Sequence, residues 1–113
     1  MQNTEPIACT LTAADLEDRR EAWLKVGTFG QASTEISGGL AFKFTPATGV
    51  YESLEQLVRL EADCCPWMIF TVEDAPGWVS MTVRAEGDGG EIAVREAFAP
   101  LAAAVDRGRD RSA

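Results

Sequence analysis

From Val50 to Cys64 apolar side chains return every three or four positions, at Leu54, Leu57 and Val58, and Glu61 and Cys65 continue the same line. At about 100° per residue these positions share one face, so the spacing predicts a helix with that stripe toward a core and with Leu60 and Cys64 at its edge. Pro66 sets its end. The residue before a proline is pushed out of the helical region, which leaves Cys65 extended and Cys64 as the last helical residue. Glu61 is the oddity in this pattern: a carboxylate on an apolar stripe is costly unless it is paired, protonated or bound to something.

The remaining pattern divides the chain in order. Ile7, Cys9 and Leu11 alternate with Ala8 and Thr10, as in a short strand with those three side chains inward. Thr12 to Asp15 resembles a capping box and opens a helix that presents Leu16, Trp23 and Val26 to the core, leaves Asp18, Arg19 and Glu21 to solvent, and stops near Gly27. Gly30 to Thr34 reads as a polar connection. Leu40, Phe42 and Phe44 then alternate with Ala41, Lys43 and Thr45 as a strand, with an irregular start at Gly38-Gly39.

After the central helix, Trp67 to Glu73 and Trp78 to Glu86 are strand-like segments joined by Asp74-Ala75-Pro76-Gly77, a hairpin signature. Val79, Met81 and Val83 face one way, Ser80, Thr82 and Arg84 the other. Gly87 to Gly90 reads as a loop, Glu91 to Phe98 has helical spacing, Pro100 interrupts it, and Leu101 to Val105 can add a turn. The order is β-α-β-α-β-β-α. It predicts an α+β fold with a mainly antiparallel four-stranded sheet covered on one face by helices.

At 113 residues the chain fits one domain, 1–113, with 1–6 and 107–113 expected to fray. Apolar residues make up 46% and charged ones 25%, which is ordinary for a packed domain. No apolar run is long enough to span a bilayer and no signal-peptide pattern opens the chain, so the expected compartment is the cytoplasm. A net charge of −8 without a basic stripe argues against nucleic-acid binding. No organic cofactor motif stands out.

Three cysteines and no histidine narrow the chemistry to sulfur and carboxylate. An odd cysteine count without a secretion signal favours thiols or metal ligands over a disulfide framework. Cys9 by itself reads as a small core residue, whereas adjacent Cys64-Cys65 at a helix end is harder to assign to packing. A helix C-terminus beside Glu61 and Asp63 opposes thiolate formation, so a resting thiol here is a sluggish nucleophile. A bound cation reverses that, because coordination itself removes the thiol proton. Zinc wants four Cys or His ligands, but Hg(II) and Cu(I) accept two or three thiolates and As(III) three, a set that Cys9, Cys64 and Cys65 would complete.

The combination of Ile7-Ala8-Cys9-Thr10-Leu11 with Leu54-x-x-Leu57-Val58-x-x-Glu61-x-x-Cys64-Cys65-Pro66-Trp67 resembles small bacterial Cys-Cys-Pro-aromatic proteins associated with mercury-responsive-type regulators and heavy-metal resistance clusters. The likeness runs from Ile7 to about Phe98. It implies a role in handling toxic soft metals, with Cys9, Cys64 and Cys65 as the matching thiols and Glu61 as the matching carboxylate.

The expected function is therefore binding of Hg(II), As(III) or Cu(I) through Cys64 and Cys65, with Cys9 as third ligand and Glu61 beside them. Two alternatives stay open. One is a thiol-dependent enzyme, redox or organomercurial-lyase-like, in which Glu61 or Asp63 protonates a leaving carbon. The other is a structural module in which Trp67 and Trp78 form a homodimer surface.

Overall fold

The computed structural model describes residues 13–87 and 89–112. Along the chain lie α1 (Ala13–Gly27), β1 (Gly30–Ile36), β2 (Gly39–Phe44), α2 (Val50–Cys64), β3 (Met68–Ala75), β4 (Trp78–Ala85), α3 (Gly90–Ala97) and α4 (Ala99–Ser112). The strands form one open sheet in the order β1-β2-β4-β3, with every neighbouring pair antiparallel. Helices α2, α3 and α4 lie on one face of it, and α1 packs across α2 and α4. This is the expected α+β architecture. The expected strand Ile7–Leu11 lies outside the described residues.

The inward face carries the core. Leu40, Phe42 and Phe44 of β2 and Val79, Met81, Val83 and Ala85 of β4 are all buried, and the helices meet them with Leu54, Leu57, Val94, Leu101 and Val105. Phe98 sits at the single non-helical residue between α3 and α4. Its ring lies 5.2 Å from Trp23, 6.0 Å from Phe70 and 6.4 Å from Phe42, so the break in the helix delivers an aromatic side chain to where α1, β2 and β3 converge. Pro100 falls in the first turn of α4, where its missing N–H would have no intrahelical partner anyway. Helix α4 then continues to Ser112, well past the last core-facing position of the sequence.

Residues 30–36 differ from the expected polar connection: they form β1, an edge strand paired with β2. Its inward positions are the polar Ser33 and Glu35, opposite Phe42 and Leu40. Helices satisfy them, since Ser33 Oγ meets Asp106 Oδ1 at 3.4 Å and Glu35 pairs with Arg95 at 3.7 Å. Two tight turns fix the register of the hairpins. Ile36 pairs with Gly39 around Ser37-Gly38, and Ala75 pairs with Trp78 around Pro76-Gly77, where proline presets φ and Gly77 takes φ 91°.

Gly39 shows how closely β2 meets β4, because a Cβ built there would lie 1.9 Å from the Val83 carbonyl oxygen. A backbone atom cannot step aside cheaply. Gly39→Ala is expected to lower stability by about 3 kcal/mol, read as a lower urea midpoint at unchanged slope. A midpoint equal to that of the unsubstituted protein would contradict this β2–β4 packing.

Candidate sulfur site at the end of helix α2

Helix α2 ends as its sequence dictates. Cys64 is the last helical residue, and Cys65 follows in an extended conformation, φ −128° and ψ 77°. The Cys65 N–H still donates to the Glu61 carbonyl at 2.6 Å, and its own carbonyl accepts from Met68 N–H at 3.0 Å. Those two bonds tie the helix end to the start of β3. The Cys65 side chain is thereby turned into the core, 5% exposed, among residues that include Met68 and Leu57.

The two adjacent cysteines are in different chemical states. Cys64, half-buried, is held in a disulfide, while Cys65 is a buried thiol. The expectation of thiols throughout therefore gives way at Cys64, whose sulfur becomes a ligand only after reduction. Cys9 lies outside the described residues. Among the described residues no group of three or more His, Cys, Asp or Glu side chains is gathered as a metal site.

Burial is the main force on the Cys65 thiol and pushes its pKa up, and the negative charge of Glu61 pushes the same way. The Arg19 guanidinium and the Trp67 indole N–H oppose them. Trp67 Nε1 is itself buried and makes no fully formed hydrogen bond among the described residues, so it acts on the sulfur as a weak donor. The balance keeps Cys65 protonated at neutral pH. This agrees with a helix C-terminus being a poor place for a resting thiolate.

Glu61 lies on the face of α2 that helical phase assigns to it, but it is not stranded there. Its Oε2 takes a 3.1 Å ion pair from Arg19 Nη1 and accepts a 2.9 Å hydrogen bond from Trp23 Nε1. Both partners come from α1. The side chains of Arg19 and Glu61 are 12% and 15% exposed, so the pair is largely removed from water. Arg19, expected on the solvated side of α1, in fact faces α2. A cleft of about 210 Å³ opens beside the pair, walled by Arg19, Trp23, Glu61, Phe98 and Leu101. Asp63, the other candidate acid, is exposed.

Glu61 thus fastens α1 to the turn of α2 that precedes the cysteines. Removing either charge leaves its partner largely buried and uncompensated, so Arg19→Ala and Glu61→Ala are each expected to lower stability by about 2 kcal/mol. Glu61→Gln keeps an acceptor for Trp23 and is expected to lose about 1 kcal/mol. In urea unfolding the double alanine variant should fall short of the summed losses by about 1 kcal/mol. Strict additivity would show that the two residues do not act as a pair.

Comparison with known protein families, characterised proteins and solved structures finds no match, so the site has to be understood from its own residues.

Proposed function

We propose that this chain binds a soft metal or metalloid ion, Hg(II), As(III) or Cu(I), through cysteine thiolates, with Cys64 and Cys65 as ligands and Cys9 as the third. The observation that carries this reading is the disulfide at Cys64. A sulfur in a disulfide has a second cysteine sulfur at bonding distance, and Cys65 follows it directly in the chain. Reduction would therefore release thiols into one small volume. The likeness of Glu61-x-x-Cys64-Cys65-Pro66-Trp67 to proteins of heavy-metal resistance clusters points the same way. In a reducing cytoplasm the dithiol form is the one expected to meet metal.

Binding is a better fit than bond cleavage. A lyase needs an acid poised to deliver a proton, whereas Glu61 is committed to Arg19 and Trp23 and Asp63 faces solvent. Glu61 acts instead by holding α1 against the helix end from which the cysteines project. The disulfide also favours a second reading, thiol–disulfide exchange with a dithiol reductant. Two electrons and two protons would convert the Cys64 disulfide to two thiols while the reductant becomes a disulfide. Metal affinity separates the two readings.

Reduced, desalted protein titrated anaerobically is expected to bind Hg(II), Cu(I) and As(III) far more tightly than Zn(II), and Cys64→Ser or reoxidation should weaken binding by at least about a hundredfold. Equal competition by zinc, or unchanged affinity after oxidation, would overturn the assignment. Each coordinated sulfur must shed its proton, so affinity rises with pH as long as a ligand thiol remains protonated. Because burial and Glu61 raise the Cys65 pKa, the rise should continue beyond the pH at which an ordinary cysteine has ionised. In Cys65→Ser the affinity should level off at lower pH.

A further inference from the structure

Among the described residues, no helix packs on the outward face of the sheet. Two of the exposed large apolar residues lie there, Ile69 at 48% and Trp78 at 40% exposure. The centre of the face is small and polar, with Ala41 of β2, Thr82 of β4 and Thr71 of β3 abreast in the register. Thr82 Oγ1 is already shut off from solvent and has no hydrogen-bond partner among the described residues, so covering the face adds no desolvation cost at that atom.

The next row of the same face carries opposite charges at symmetric places. Lys43 of β2 and Glu73 of β3 both pair in register with Ser80 of β4, so they stand at equal distances on either side of it. Both are exposed. A two-fold axis running along β4, between two facing sheets, exchanges β2 of one copy with β3 of the other while keeping every row at its own height. Lys43 of each copy then lies over Glu73 of the other, Ala41 lies over Thr71, and the two Trp78 rings meet near the axis. Aligned face-to-face packing of this kind is how sheets normally stack. Arg84 also approaches its copy, but it occupies the end row, where a long side chain can turn out to water.

We propose that this face is the interface of a symmetric homodimer, with the Lys43–Glu73 pair formed twice across it. About this axis β1 overhangs the edge of the other copy, so three strands of six to eight residues overlap, and at about 4.8 Å spacing and about 3.3 Å rise per residue they give a footprint of roughly 350 Å² per copy. Two copies bury roughly 700 Å², less than a standard specific interface, so the dimer is a weak one that depends on the doubled charge pair and exchanges with monomer at high protein concentration. Cys64 and Cys65, at the end of α2, are not part of this face, so the dimer is tested independently of the metal reading.

Sedimentation equilibrium of reduced protein over a series from about ten micromolar to about one millimolar tests the proposal. The protein is expected to pass from monomer to dimer across the series. Lys43→Glu and Glu73→Lys each place like charges together twice and should weaken the dimer by about tenfold or more. The double variant Lys43→Glu/Glu73→Lys reverses both charges and should restore dimerisation, with circular dichroism confirming that all three variants are folded. A protein monomeric throughout, or a dimer that the single exchanges leave intact or the double exchange fails to restore, would overturn it.

Discussion

Pro66 has no N–H to donate and bars Cys65 from the helical region, so α2 must end at Cys64 and the chain must turn at once into β3. The sulfur-bearing end of the molecule follows from that constraint. With the helix stopped there, Cys65 caps it from an extended conformation and goes into the core, while Cys64 stays at the edge, in its disulfide. One residue further along, either cysteine would point elsewhere. The hydrogen bonds from Cys65 to Glu61 and from Met68 to Cys65 hold the junction on both sides.

Glu61 serves the same junction one turn earlier. A carboxylate on a core-facing stripe is tolerated because α1 supplies both a guanidinium and an indole N–H to it, and those contacts in turn fix where α1 lies. Its charge reaches Cys65 as well, where it adds to burial in keeping the thiol protonated. One side chain thus links helix docking to the state of a sulfur. On the proposed reading, such a resting thiol would yield its proton to a strongly sulfur-seeking ion more readily than to zinc.

Much of this was legible in the sequence where local pattern carries the information. The stripe of Leu54, Leu57, Val58 and Glu61, the stop before Pro66, the alternation of Leu40, Phe42 and Phe44, and the Pro76-Gly77 hairpin all appear in the structure as expected. β1 was not legible. Gly30–Ile36 has one large apolar residue, at its very end, and its inward positions are Ser33 and Glu35, whose acceptability depends on Asp106 and Arg95 some sixty to seventy positions away. Arg19 was misplaced for a related reason. In α1 it reads as one charge among several, and only the phase of α2 gives it a partner. The disulfide at Cys64 left no local sign at all, since an odd cysteine count points toward thiols.

The central claim is that sulfur atoms gathered at the end of α2 form the coordination sphere of a soft ion. X-ray absorption at the metal edge of reduced protein loaded with one equivalent of Hg(II) or As(III) counts those atoms directly. The account predicts a shell of two or three sulfurs that loses one in Cys65→Ser. A first shell of oxygen or nitrogen, or a sulfur count unchanged in that variant, would contradict it.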